Sequence, residues 1–450
     1  MKNNFRKYIT QYVDASTLVI FRVLFGLQMM FSLIRFWSKG WIDTVYNEPL
    51  FHFKYYGFSW VQSLGEYNYY LFFVCILAAF FITVGYKYRF SIILFFLTFT
   101  YIELIDKTTY LNHYYFISIV SFVMIFLPAA CRFSVDSFIS GVQYQRIARW
   151  NIDVIKLLII LVYFYAGLAK INSDWLLDAM PLSLWLPMKY DLPLIGFLMS
   201  EKWLAYAMSW GGMLFDTCIG FFFLSKSYKN HAYFVAFIFH IITAVLFPTI
   251  GMFPYIMITL TVIFLDSSIH DNVINKVKSL INIKKENILK EYFPNNNKYV
   301  ISFLSVFLII QILLPLRHVL YDSKLFWSEE GYRFSWRVML IEKTGITNFI
   351  ITDKQGDKRL VVDNSDFLTS FQESKMSFQP DMILEYAHFL GNYYKNAGFK
   401  DPKVTADSFV TLNGRLSTRF VEKEFDLLSV KDNFKKYNWI TPFKDDKKGF

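Results

Sequence analysis

The chain of 450 residues is 55% hydrophobic and 20% aromatic, and it carries a formal net charge of +10. This composition excludes an ordinary soluble domain of the same length. The lysines cluster in loops between apolar runs and form no basic stripe, which excludes a nucleic-acid partner. The three cysteines lie in or beside apolar segments, so no disulfide framework is predicted. A multi-pass membrane protein is the predicted class.

About nine apolar stretches approach the length that crosses a bilayer, and each is predicted to be a transmembrane helix. In chain order they cover residues 15–34, 67–86, 90–105, 113–129, 154–171, 203–225, 231–247, 252–266 and 299–316. The first stretch follows a polar start, MKNNFRKYIT, without an evident small-residue cleavage site. It is therefore interpreted as a retained signal anchor.

Positive charges predict how these spans are oriented. With the N-terminus inside, sixteen lysines and arginines fall in cytoplasmic segments and five fall in outer loops, in agreement with the positive-inside rule. The lysine-rich stretch 271–298 is predicted to be an amphipathic cytoplasmic linker that is attracted to anionic lipid. Everything after about residue 317 then lies outside the cytoplasm.

Two domains follow from this division, a transmembrane helical domain at 1–317 and an extracytoplasmic domain at 318–450. In the second, YRFSWRVMLI and ITNFIIT are predicted strands, DKQGDK a turn and RLVVD a return strand. The stretch DMILEYAHFLGNYYKNAG is a predicted helix that ends at Gly398. The predicted fold is an α-helical multi-pass membrane bundle with a small, mixed, β-rich C-terminal domain.

Four candidate proton-transfer groups, Lys170, His113, His240 and His318, come from separate spans and converge on the outer leaflet. Plainer explanations compete with a functional one. A lysine at a span end commonly snorkels to the membrane surface, and such a lysine contributes little to stability. A lone histidine is commonly a hydrogen-bond partner between helices. Asp216 is an intramembrane carboxylate that either pairs inside the bundle or has a function.

The stretch YFYAGLAK places Tyr163, Ala166, Gly167 and Lys170 on one helical face. Its small residues admit a neighbouring helix or a flat ligand close to the backbone. A lysine that loses hydration on this face is a candidate general base. The many aromatic residues suit a planar hydrophobic ring taken from the bilayer. No His, Cys and Asp grouping has zinc-site spacing, so no bound metal is predicted.

Several motifs occur in the order found in one known family. They are VIFRVLFG, DKTTYLNHYYF, YFYAGLAKINSDW, the FH of AFIFH, IGMFPYIM, GYRFSW and FVTLNGR. On these motifs, which cover most of the chain, the sequence resembles the vitamin K-dependent γ-glutamyl carboxylases and their bacterial relatives with an HTTM domain.

The resemblance implies an enzyme that couples epoxidation of vitamin K hydroquinone, or menaquinol, by O2 to addition of CO2 at a peptidyl glutamate. Lys170 matches the lysine that deprotonates the hydroquinone, and His113 matches the group that stabilises the resulting oxyanion. The remaining implied site residues are Asn112, Tyr163, Gly167 and His240 for the quinol, and His318, Tyr332 and Trp336 for the glutamate. The implied partners are membrane lipid, the quinol and a glutamate-containing peptide on the extracytoplasmic side.

The sequence also departs from the animal enzymes of that family. They have a tandem lysine where this chain has Ala169 and Lys170, a tryptophan where it has Tyr110, and a longer region after FVTLNGR. The propeptide-docking apparatus is therefore expected to be absent or reduced, and a bacterial cytoplasmic (inner) membrane is the expected location. Two alternatives stay open: a quinol epoxidase or oxygenase without peptide carboxylation, and a non-enzymatic lipid- or quinone-binding membrane protein. The second alternative predicts an internal duplication, which the sequence does not contain.

Overall fold

The computed structural model describes residues 8–281, 288–293, 298–353, 358–431 and 436–445. Helices make up most of the chain before residue 320, and the long ones pack around one apolar core. They are α1 (Ser16–Ser38), α2 (Asn68–Val84), α3 (Tyr88–Ile105), α4 (Asn112–Met124), α5 (Val135–Ser140), α6 (Trp150–Ala169), α7 (Ser173–Leu177), α8 (Leu182–Trp185), α9 (Lys202–Leu224), α10 (Lys229–Leu246), α11 (Phe253–Thr261), α12 (Ser267–Leu280) and α13 (Lys298–Leu313).

Seven helices in the described part of the chain are long and apolar enough to cross a membrane, which confirms the multi-pass helical fold. Two predicted spans look different. Residues 113–129 contain only the 13-residue helix α4, which stops four residues before the helix-breaking Pro128. Residues 252–266 contain α11, and its extension Phe253–Phe264 meets α12 at a bend of 106°. Counting that bent pair as one span gives eight.

A small sheet, which the sequence patterns did not predict, joins the segments that precede α1, α6 and α13. Strand β1 (Tyr12–Asp14) pairs antiparallel with β2 (Val142–Ala148), and β2 pairs parallel with β3 (Ile288–Tyr292). The predicted linker 271–298 thus contains the end of α12 and strand β3, while its residues 282–287 and 294–297 lie outside the described residues. Every residue of β3 is exposed, including the apolar Ile288 and Leu289.

The C-terminal region forms a second, smaller core. Strands β4 (Lys343–Thr352), β5 (Arg359–Val361), β6 (Lys403–Leu412) and β7 (Thr418–Arg419) make an antiparallel sheet in the order β5-β4-β6-β7. Its helices are α14 (Leu325–Ser328), α15 (Ser370–Met376) and α16 (Pro380–Asn396). Phe349 of β4 packs in this core with Met382 and Tyr386 of α16. The predicted strands ITNFIIT and RLVVD and the predicted helix are confirmed, and α16 ends two residues before Gly398.

The predicted strand YRFSWRVMLI is wrong. Phe334, Trp336 and Met339 have φ of 58°, 61° and 54°, values that no strand residue adopts. The aromatic side chains turn instead into the bundle, where the Trp336 ring lies 5.2 Å from that of Tyr115. Of the predicted turn DKQGDK, residues 354–357 lie outside the described residues. Strand β6 was not predicted.

Buried ion pairs hold the C-terminal domain on the bundle. Lys107, in the loop between α3 and α4, lies 2.8 Å from the Asp381 carboxylate and 3.1 Å from that of Glu385. Arg333 approaches the same Asp381 at 2.6 Å. Burial alone would raise the pKa of Asp381, but Arg333 and Lys107 together hold it well below its usual range. The carboxylate therefore stays ionised and ties the loop, the domain and the segment before β4 together.

Candidate functional site

An apolar cavity of about 90 Å³ lies between α6, α9, α10 and the start of α11. We call it the inner cavity, and the residues on its wall that matter here are Tyr163, Lys170, Asp216, His240, Phe253 and Met339. Most of the wall is aromatic or aliphatic, so the few polar groups that face it lie in surroundings of low polarity. Such a setting, with a small number of convergent polar groups, is typical of a small-molecule site.

Lys170 lies inside this cavity and does not snorkel to the membrane surface. Only 6% of the residue is exposed. Its Nζ donates to the Asp216 carboxylate at 2.7 Å and to the Ala166 carbonyl at 3.3 Å, and it lies 5.3 Å from the centre of the Trp175 ring. Helix α6 ends at the preceding residue, and the Asn172 side chain then caps α7 by accepting from the Trp175 N–H. The chain therefore turns at Lys170 and holds its side chain inward.

Asp216 lines the inner cavity but was not among the predicted site residues. It comes from the middle of α9, only 6% of it is exposed, and its contact with Lys170 is the sole ion pair that it makes among the described residues. A buried ion pair is strongly destabilised when one partner is removed, because the other charge is left uncompensated. The sequence did carry a signal, since two opposite charges in separate apolar spans are expected to pair.

Gly167 lets α6 and α9 approach closely enough for this pair to form. A Cβ atom at Gly167 would lie 2.4 Å from Thr217 Oγ1 and 2.5 Å from the Thr217 backbone nitrogen. Because backbone is involved, the clash cannot be relieved by rotating one side chain. Thr217 follows Asp216 directly, so the predicted tight face of YFYAGLAK is a helix contact that positions the carboxylate.

The substitution Gly167→Ala is expected to destabilise the protein by about 1–3 kcal/mol, the usual effect of overpacking. It should also lower activity, since displacement of Thr217 moves Asp216 away from Lys170. Gly211→Ala is the matched control on α9, because a Cβ there meets nothing within 4 Å and alanine favours a helix over glycine. Thermal unfolding of both variants in the same detergent checks the prediction, and equal melting temperatures would contradict it.

Two histidine side chains lie near the buried ion pair, one on the wall of the inner cavity and one beside it. His240 Nε2 is 2.7 Å from the Tyr163 hydroxyl, while its Nδ1 is buried and has no hydrogen-bond partner among the described residues. His113 is also buried, and its Nε2 has no partner in the same part of the chain. The Phe253 ring lies 5.9 Å from the His240 ring and 6.1 Å from the His113 ring. His113 therefore does not line the inner cavity itself but contacts Phe253, which does.

Asn112 does not face the inner cavity. Its side-chain amide donates to the Arg337 carbonyl at 2.8 Å and accepts from the Tyr110 hydroxyl at 3.0 Å. The same Tyr110 hydroxyl accepts from the Phe334 N–H at 2.7 Å. The YLNH part of the motif therefore anchors the GYRFSW segment to the bundle.

A second and larger cavity, of about 370 Å³, lies on the other side of that segment. We call it the outer groove, and the residues on its wall that matter here are Leu168, Ala169, Asp174, Pro315, Leu316, His318, Lys324, Phe326, Ser335, Arg337, Arg415 and Asp445. Ser335 and Arg337 line the outer groove, whereas Val338 and Met339 line the inner cavity. Residues 335–339, the wall segment, therefore separate the two spaces.

The structure brings only some of the predicted site residues together. Lys170, Tyr163 and His240 line the inner cavity and His318 lines the outer groove. Tyr332 and Trp336 line neither space, and Trp336 is 2% exposed, with its ring packed against the Tyr115 and Phe116 rings of the bundle. Among the described residues no group of three His, Cys, Asp or Glu side chains is arranged to hold a metal ion.

Comparison with known protein families gives two matches. A family model described as the HTTM domain matches residues 10–268, which is more than half of the chain. A second, described as the lumenal domain of vitamin K-dependent gamma-carboxylase, matches residues 296–446. No solved structure matches the chain. The two family matches cover the helical bundle and the C-terminal domain that hold the inner cavity and the outer groove.

Proposed function

Because the chain belongs to the vitamin K-dependent γ-glutamyl carboxylase family, we propose that it couples epoxidation of a hydroquinone by O2 to addition of CO2 at a peptidyl glutamate. The hydroquinone is vitamin K hydroquinone or menaquinol. The observation that carries the proposal is the buried ion pair of Lys170 and Asp216 on the wall of an apolar, membrane-embedded cavity. This pair provides a base where water is scarce.

The residues of the inner cavity suit the head of a hydroquinone. Its aromatic wall suits a flat ring, and the unpartnered Nδ1 of His240 offers a polar contact for a hydroxyl. The volume of about 90 Å³ is smaller than the roughly 150 Å³ cavity that admits benzene, so the wall has to move for a bicyclic ring. Met208 and Met339, which are flexible side chains, stand on that wall.

When bound, the hydroquinone supplies an acidic hydroxyl and the electrons that reduce O2. In the resting pair the proton lies on Lys170 Nζ, and it passes along the 2.7 Å contact to the Asp216 carboxylate. The neutral amine of Lys170 then accepts the hydroxyl proton, and Asp216 keeps the first one. His113 donates to the developing negative charge, and Tyr163 orients His240 through their mutual hydrogen bond.

The glutamate half of the reaction is assigned to the outer domain. His318 lines the outer groove, Tyr332 lies three residues before the wall segment, and Trp336 belongs to the wall segment. We propose that His318 contacts the glutamate, and that Tyr332 and Trp336 support the same substrate by fixing this segment. The excess of positive charge in predicted inner loops supports an inner-membrane protein with its N-terminus inside and residues 318–450 outside.

A quinol epoxidase without carboxylation is the second candidate. The observation that favours it is the wall segment, because the inner cavity and the outer groove are lined by different residues of that segment. Quinol chemistry could then run without any peptide. This candidate needs Lys170 and His113 but makes no use of the outer groove.

A two-product assay tests both candidates. Purified protein is given reduced vitamin K or menaquinol, O2, labelled bicarbonate and a glutamate-containing peptide, and epoxide and peptide label are scored separately. The coupled enzyme makes both products and incorporates no label into the same peptide with glutamine in place of glutamate. Epoxide without label selects the second candidate, and neither product rejects both.

A further inference from the structure

Arg337 is a cation on the wall of the outer groove that lacks a carboxylate partner among the described residues. Its Nη2 lies 3.3 Å from His318 Nδ1 and 3.4 Å from Nε2, and its guanidinium lies 5.9 Å from the centre of the Phe326 ring. Its Nε is buried and has no acceptor within the described part of the chain. Burial lowers the pKa of Arg337 to about 10, so the side chain is still charged at neutral pH.

Several nearby cations are matched by carboxylates. Among the described residues Lys324 and Arg337 on the groove are not, and of these two only Arg337 has a buried donor without an acceptor. Arg415, on the same groove, binds both oxygens of Asp174 at 2.8 and 2.9 Å and also pairs with Asp445. Arg333 pairs with Asp381, and Lys343 pairs with Glu329 at 2.8 Å. A buried donor without an acceptor is costly unless a ligand supplies one. The charge of Arg337 is thus left for a partner that enters the groove.

The position of Arg337 relates the outer groove to the inner cavity. Its carbonyl is held by the Asn112 side chain, so its backbone is fixed to the bundle. The next two residues line the inner cavity, and Leu168 and Ala169, which precede Lys170, line the outer groove. A group bound by Arg337 therefore lies one layer of protein away from the base.

The shape and charge of the groove suit an acidic side chain. Three cations and two carboxylates line it, and both carboxylates are engaged by Arg415. Pro315, Leu316 and Phe326 supply apolar wall on which methylene groups can pack. A guanidinium binds a carboxylate through two parallel hydrogen bonds, a geometry that neither a lysine nor a neutral amide reproduces.

We propose that Arg337 is the residue that recognises the side-chain carboxylate of the peptidyl glutamate in the outer groove. The proposal rests on the proposed function for the identity of the peptide. His318, in contact with Arg337, orients the guanidinium. Recognition of the carboxylate gives selectivity for glutamate over glutamine, since an amide would leave the arginine charge unpaired.

The test compares Arg337→Gln with Arg359→Gln, the same substitution at an exposed residue of β5 that does not line the groove. We expect Arg337→Gln to raise the KM for a glutamate peptide roughly 10- to 100-fold, as for loss of one charge-assisted contact. Epoxide formation without peptide should stay at the wild-type rate, and Arg359→Gln should change neither quantity. Arg337→Lys keeps the positive charge but loses the two parallel N–H donors of the guanidinium, so its KM should lie between those of the wild type and Arg337→Gln.

Equilibrium binding of fluorescent glutamate and glutamine peptides, without quinol or O2, keeps this inference separate from the proposed reaction. Wild-type protein should prefer the glutamate peptide, and Arg337→Gln should lose that preference while keeping its melting temperature. An unchanged preference in Arg337→Gln overturns the inference even if the enzyme carboxylates. A wild-type protein without such a preference also overturns it. Failure to form epoxide or label, with the preference intact, rejects the proposed function alone.

Discussion

Exchange of Lys170 for methionine together with Asp216 for asparagine is expected to abolish epoxide formation in a protein that still folds. The base is lost, and no other amine lines the inner cavity in the described structure. The double change removes both charges of a buried pair, and replacement of such a pair by neutral residues of similar volume is often close to neutral for stability. Methionine keeps most of the volume of the lysine stem.

The single variants are needed to interpret this result. Lys170→Ala, the simplest test of a base, leaves the Asp216 carboxylate buried without a partner, and we expect a loss of about 3–5 kcal/mol in stability. The expectation that a span-end lysine contributes little therefore does not hold for a residue that is 6% exposed and paired. Asp216→Asn should be destabilised in the same way and should keep Lys170 but lose the acceptor of its proton.

Epoxide yield per folded molecule and the melting temperature are measured on all three variants. The predicted outcome is two unstable single variants, a stable double variant, and no epoxide wherever Lys170 is absent. Epoxidation at the wild-type rate by a folded Lys170→Met, Asp216→Asn protein would falsify the assignment of Lys170 as the base. Equal melting temperatures of the three variants would instead contradict the expectation that each charge of the ion pair compensates the other.

His113→Ala is expected to slow quinol oxidation by about 100- to 1,000-fold, the effect of removing one preorganised donor near a developing negative charge. Its imidazole is buried and its Nε2 has no partner among the described residues, so the donor is available to a bound oxyanion once the Phe253 ring moves aside. Initial rates of epoxide formation at saturating hydroquinone give the measurement.

His270→Ala serves as the control for His113→Ala. His270 is also a buried bundle histidine, but both of its nitrogens are engaged, one with Thr17 at 3.2 Å and the other with the Val262 carbonyl at 3.1 Å. Its loss should cost roughly 1–3 kcal/mol in stability and leave the rate per folded enzyme unchanged. If His113→Ala changed only the affinity for peptide, His113 would belong to the glutamate side of the site.

Local pattern in the sequence was enough for most of the fold. The long helices follow from unbroken apolar runs, and α16 and β4 follow from periodicity over one element. Strand β6 carries the same kind of signal, because Val404, Ala406, Ser408, Val410 and Leu412 alternate as buried residues, but its polar neighbours hid it. The wrong strand at YRFSWRVMLI has a different cause. Its aromatic rings contact the bundle, and no local pattern reveals which distant surface a ring will meet.

The site was predictable as far as single residues could reveal it. Lys170, Tyr163 and His240 stand out because each is a polar group in an apolar helix or directly after one, and all three do line the inner cavity. Their partners depend on contacts between distant parts of the chain. Lys170 and Asp216 are separated by 46 positions in the sequence, and Asn112 and Arg337 by 225, so no local pattern predicts either contact. The division between inner cavity and outer groove was hidden for the same reason.

The small sheet of β1, β2 and β3 determines whether the number of membrane crossings between its consecutive strands is even or odd. Its open edges are not tolerated within hydrocarbon, so all three strands lie on one side of the bilayer. The chain must then cross an even number of times between consecutive strands. Among the described residues three long candidate spans lie in each interval, and an even count is reached when the short α4 and the bent segment Phe253–Phe264 each supply a fourth crossing. The candidate span Lys298–Leu320 then adds a ninth crossing. With an odd number of crossings, the outer groove lies on the side of the membrane opposite the sheet.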